Sequence, residues 1–168
     1  EEQFYIVWPL LIVAVLFLAR RLGRVPVRTV LGIAIAIIII PSFIWSLTFT
    51  AADPNVAFFV TTTRLWELGI GAAVAIGARH WSRIPGAAAA ALGWLGIAAV
   101  ASAALLFSAA TPWPGAGALV PTLGTAAVII ATTGRSPSRA SVASVLSLRP
   151  MVWIGGLSYS LYLWHWPF

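Results

Sequence analysis

The 168 residues contain no cysteine, no lysine and only four acidic residues. Without cysteine there is no disulfide scaffold, no cysteine nucleophile and no thiolate metal site. Charged residues make up 8% of the chain against a hydrophobic fraction of 61%, too little to give a soluble domain of this size a polar shell. No Walker loop, no dinucleotide-binding glycine motif and no fixed-period repeat is present, so nucleotide chemistry and solenoid folds have no support. No metal site is expected.

What the chain does have is apolar runs of roughly twenty residues separated by arginines. Arg20, Arg21, Arg24, Arg28, Arg79, Arg83, Arg135, Arg139 and Arg149 fall in alternate turns between these runs, and Glu1, Glu2, Asp53, Glu67 and Arg64 fall on the other side. Such sorting follows the positive-inside rule, which explains the net charge of +6 without any nucleic-acid partner. The expected fold is therefore all-α, a polytopic transmembrane helical bundle of about six segments. Their expected bounds are about 4–18, 30–49, 57–78, 87–107, 116–133 and 151–168. The arginine loops are placed in the cytoplasm, with Glu1 and the closing WHWPF extracytoplasmic. Both ends look like cuts through a longer membrane protein. The Ala- and Gly-rich fourth and fifth segments are expected to pack closely and to carry little chemistry. The Ser- and Pro-containing third basic loop reads as a connector or a short surface helix.

Several polar groups then lie too deep for lipid. At 1.5 Å per residue, Glu67 is about 18 Å and Arg64 about 22 Å above the cytoplasmic edge counted from Arg79. On the same scale His165 is about 21 Å up from Met151, and Gln3 about 25 Å from Arg20. Three distant helices deliver polar groups to one layer, the pattern of a site. Arg64 and Glu67 stand i, i+3 on one helix face. They form either a rim salt bridge with Trp66 as a belt anchor, or a buried pair in which Glu67 serves as base or orienting acid. Ser158, Tyr162 and His165 stand at i, i+4 and i+7, one face of the last helix. Ser158 is about two turns from His165, too far for a nucleophile–base dyad. Tyr162 is within reach of His165 to orient its ring. The competing reading is an aromatic belt with one satisfied histidine, although Pro167 loosens the backbone there as pockets tolerate. Glu2 and Gln3 begin an apolar helix kinked at Pro9. Asp53 is a loop former in ADPN, and His80 a surface residue.

Three stretches together resemble the membrane acyltransferase-3 family, which acylates cell-surface sugars and lipids in bacteria. EEQFYIVWPL at 1–10 is similar to that family's EEQFYLLWP element, and FFVTTTRLWELGIGAAVA at 58–75 to its RxWELxxGAxLA element. IGGLSYSLYLWHWPF at 154–168 is similar to its SYSLYLWHWP element. The resemblance implies a larger bundle of roughly ten helices in a bacterial inner membrane, of which these residues form the later part. It implies transfer of an acyl group, usually acetyl from acetyl-CoA, to a hydroxyl of a surface glycan or lipid. Acyl-CoA is then a donor substrate and no cofactor is held permanently. Glu67 and His165 are the implied catalytic residues, with Glu2, Gln3, Arg64, Ser158 and Tyr162 toward the substrates. The family's catalytic histidine and its arginine partner sit in an earlier helix, so these residues alone are expected to be inactive. The ending WHWPF is typical of members that continue into an SGNH-type domain. Two other functions share these features. A secondary transporter or flippase also uses intramembrane charges and broken helices, but carries internal repeat symmetry. A non-catalytic membrane subunit needs neither donor nor acceptor.

Overall fold

The computed structural model describes residues 2–23, 25–108, 111–134 and 141–165; the side chains of 2–7, 22, 162 and 165 lie outside the described set. Among the described residues all regular structure is helical. The elements are α1 (Glu2–Leu22), α2 (Val27–Ala52), α3 (Pro54–Phe59), α4 (Leu65–Trp81), α5 (Gly86–Leu106), α6 (Leu119–Thr132), α7 (Val142–Leu146) and α8 (Arg149–His165). Two 3-10 turns, Thr61–Thr63 and Ala116–Ala118, precede α4 and α6.

α2 and α5 are long and apolar enough to cross a bilayer, and Ala116–Thr132 is a shorter apolar helix. The faces of α2 reinforce this. Ile33, Ile37, Ile40 and Ile44 recur at i, i+4, i+7 and i+11 and are exposed, Ile37 to 65%. Ser42, Ser46 and Thr50, at i, i+4 and i+8, are buried. A helix with its isoleucines outward and its hydroxyls inward is inverted relative to a helix in water. It suits a surrounding of lipid, where hydroxyls turned inward can pair with other segments, as Ser42 and Thr50 do.

The expected segment at 57–78 is not one helix. α3 ends at Phe59, Val60 is extended (φ −83°, ψ 114°), and α4 starts only at Leu65. Thr63 explains the break: its Oγ1 donates to the carbonyls of Ala57 at 2.7 Å and Val60 at 2.6 Å. These contacts satisfy carbonyls that an uninterrupted helix would pair with amides, so a short hydroxyl side chain competes with the helix. Asp53 caps α3, its carboxylate accepting from the Val56 amide at 3.2 Å, with Pro54 fitting the first helical position.

α4 lies antiparallel against α2. Ser42 meets Trp66, Ile39 packs on Gly69, and the Arg28 guanidinium donates to the Ile76 carbonyl at 2.8 Å. α5 and α6 form the most extensive pair. A Cβ on Gly96 would sit 2.5 Å from the Gly124 carbonyl oxygen, so only glycine lets the two backbones approach this closely. The start of α6 is brought to the Thr50 end of α2 by the Gly115 amide, which donates to Thr50 Oγ1 at 3.2 Å. α4 and α6 therefore run in the same direction, side by side, from that end. α8 follows α7, its main neighbour, and Met151–Gly156 are exposed.

Candidate functional site

The site grows from the break before α4. Because α4 starts at Leu65, Arg64 is its N-cap residue and Glu67 lies in its first turn. A carboxylate there is favoured by the helix dipole. Ser42 fixes this turn from α2: its Oγ donates to the Thr62 carbonyl at 2.7 Å and accepts from the Trp66 amide at 3.1 Å. Trp66 is buried, 1% exposed, and meets Phe43 edge to face with centroids 4.9 Å apart. The expectation of Trp66 as a belt anchor is corrected by that burial: its ring fills the α2–α4 interface.

Arg64 and Glu67 do pair. Arg64 Nε stands 3.8 Å from Glu67 Oε1, with side chains 38% and 18% exposed. That distance is an ion pair but too long for a hydrogen bond. The Arg64 guanidinium also sits over the Phe58 ring, 5.6 Å from its centroid. Glu67 Oε1 is itself buried and has no hydrogen-bond partner, a condition it shares with Ser46 Oγ and Trp66 Nε1. An unpaired buried carboxylate oxygen is costly, and in a native structure it calls for a donor supplied from elsewhere.

Beside Glu67 is a groove of ≈ 360 Å³ between α4 and α6. Glu67, Leu68 and Gly71 line it from α4, Thr122, Thr125 and Ile129 from α6, and Trp113 from the preceding loop. Trp113 is held against Phe107, centroids 6.2 Å apart, and the Trp113–Pro114 bond is cis. This part of the chain, expected from its Gly and Ala content to carry little chemistry, supplies one wall of the groove. The signal lies in Thr122 and Thr125, at i, i+3 in the first half of a mostly apolar helix.

The remaining candidates are placed less fully. Ser158 is exposed, and its hydroxyl donates to its own helix at the Gly155 carbonyl, 2.7 Å away. Glu2 and Gln3 begin α1, and Tyr162 and His165 are in the last turns of α8, but the side chains of all four lie outside the described residues. The described geometry brings Arg64 and Glu67 together and adds α6 and Trp113 to them.

Comparison with known proteins adds identity to this geometry. The chain is 28% identical over 179 residues to YrhL of Bacillus subtilis strain 168, provisionally named a peptidoglycan O-acetyltransferase, covering 99% of this chain and 26% of that protein. It is also 28% identical over 177 residues to the peptidoglycan O-acetyltransferase OatA of Listeria monocytogenes serovar 1/2a, covering 99% of this chain and 27% of that protein. The chain thus spans about a quarter of the length of these relatives. No solved structure matches. A family model described as an acyltransferase domain matches residues 1–168, and the chain belongs to that acyltransferase family.

Proposed function

We propose that these residues belong to an integral-membrane O-acyltransferase that moves an acetyl group from acetyl-CoA to a hydroxyl of a cell-surface glycan. The names of the two relatives point to peptidoglycan as the acceptor class. The observation that carries the reading is Glu67, which lines a groove beside Arg64 and whose Oε1 is buried without a donor. A carboxylate so placed is poised to accept the proton of an incoming hydroxyl.

In the reaction, the acceptor oxygen attacks the thioester carbonyl carbon, a C–O bond forms and the C–S bond breaks. The acceptor proton passes to a base, and the departing CoA thiolate is protonated in turn. Glu67 serves as the base or as the group that orients it. Arg64 holds the carboxylate in place and offers positive charge to the oxyanion that develops on the carbonyl. His165, oriented by Tyr162, lines the same site from the last helix, and Ser158, Glu2 and Gln3 contact the substrates. The arginine loops lie in the cytoplasm, and the break before α4 lies toward the outer face of a multi-pass inner-membrane protein. The 168 residues alone are inactive, and turnover belongs to the full-length protein.

The test is transfer of label from radioactive acetyl-CoA into peptidoglycan by membranes that contain the full-length protein. Label in the glycan above empty membranes supports the reading. Absence of transfer, together with donor-independent movement of a solute or lipid across vesicles, supports a transporter instead.

A further inference from the structure

We infer that the groove between α4 and α6 is the acceptor-sugar subsite, with Trp113 as its stacking wall and Thr122 as a hydroxyl partner; this rests on the acyltransferase reading above. Three observations converge. Glu67 Oε1, buried in the wall of this groove, lacks a donor, and a sugar hydroxyl supplies one. Thr122 and Thr125 face the same groove. Among the described residues neither hydroxyl has a partner, whereas Thr132 and Thr133, just past them, donate to the Ile129 and Ile130 carbonyls at 2.8 and 2.7 Å. Hydroxyls left free in a mostly apolar groove are available to a polar ligand. Trp113 presents an indole to the groove from a loop tied to α2 through Gly115 and Thr50.

The chemistry selects a sugar over an alkyl chain. An alkyl chain leaves the Glu67 oxygen and both threonine hydroxyls unsatisfied and seals a carboxylate against hydrocarbon, which is unfavourable. A pyranose ring has hydroxyls on its edge for Glu67 and Thr122. It also has a C–H face for the indole, and its apolar side suits Leu68 and Ile129. The groove, ≈ 360 Å³, is within the roughly 300–1,000 Å³ of small-ligand sites.

Full-length protein in lipid nanodiscs is assayed for acetyl transfer to solubilised peptidoglycan glycan strands, varying acceptor and acetyl-CoA separately. Thr122→Val keeps the shape and removes the hydroxyl; Trp113→Ala removes the wall and Trp113→Phe keeps an aromatic ring. The expected result is a rise in acceptor KM of about tenfold for Trp113→Ala and about fivefold for Thr122→Val. The kcat stays within about threefold of the parent, the KM for acetyl-CoA does not move, and Trp113→Phe retains most of the affinity. Unshifted acceptor KM in both variants, with transfer intact, overturns the subsite and leaves the acyltransferase reading standing. A change confined to discrimination between acetyl-CoA and octanoyl-CoA also overturns it, assigning the groove to the acyl chain. No transfer by the parent sinks the acyltransferase reading, and this assignment with it.

Discussion

Ser42 on α2 and Trp66 on α4 are joined by a hydrogen bond from the Trp66 amide to the Ser42 hydroxyl, 3.1 Å long, and the same hydroxyl donates to the Thr62 carbonyl. One side chain thus satisfies a helix-start amide and a carbonyl in the break that precedes it. Glu67 is the next residue along, so the position of the carboxylate is set from α2 by a residue 24 positions before Trp66.

Replacing Ser42 with Ala leaves a buried amide and a partly buried carbonyl unpaired. The expected cost is about 1–2 kcal/mol, since membrane hydrogen bonds are worth less than vacuum values suggest. Thermal unfolding of the detergent-solubilised protein checks it, with Ser42→Ala melting lower than the parent. Ser160→Ala, at an exposed site on α8, is expected to melt with the parent.

Gly96 and Gly124 set the spacing of α5 and α6. Gly96→Val drives a side chain into the Gly124 carbonyl and Val128, and is expected to destabilise by about 1–3 kcal/mol or to block folding. Gly32 is a matched control, with nothing within 4 Å of its Cβ position. Gly32→Ala is expected to be neutral or to stabilise by up to about 1 kcal/mol, the gain of Ala over Gly inside a helix. Melting temperatures of the two variants decide the matter.

Thr50→Val removes the acceptor for the Gly115 amide while keeping the packing shape. Gly115 itself has φ +23°, a backbone region that side chains disfavour, and its Cβ position lies 3.0 Å from Thr50 Cγ2. Gly115→Ala and Thr50→Val are therefore expected to free the same loop and, with it, Trp113. Limited proteolysis near 107–118 should accelerate in both variants. An unchanged cleavage rate would show that the loop is held by other contacts.

The lack of cysteine offers a direct reading of sidedness. Asp53→Cys is expected to react with a membrane-impermeant maleimide in intact cells, and Arg83→Cys only after permeabilisation. The reverse pattern contradicts the proposed orientation.

Much of this organisation is legible in the residues alone. Apolar runs between arginines point to an all-helical bundle, and the pairing of Arg64 with Glu67 follows from their spacing. The interruption at Val60–Arg64 is less visible, because Val, Thr and Phe continue the apolar run and only the Thr63 hydroxyl reveals the competition with helix. The buried Ser42, Ser46 and Thr50 stripe shows a helical period in PSFIWSLTFT, yet total hydropathy conceals it. Trp113 and Thr122 join Glu67 only through the parallel alignment of α4 and α6. That alignment is accompanied by the Thr50–Gly115 contact across 65 positions, a pairing no local pattern encodes.

The most direct test of the central claim is acetyl transfer into peptidoglycan by full-length protein and its Glu67→Gln form at equal membrane levels. The amide keeps the size of the side chain and removes its capacity to take a proton. The expected result is a fall in kcat of about 10²–10⁴-fold, with acetyl-CoA binding retained. Transfer by Glu67→Gln within a few-fold of the parent would contradict it, reducing Arg64 and Glu67 to a structural ion pair.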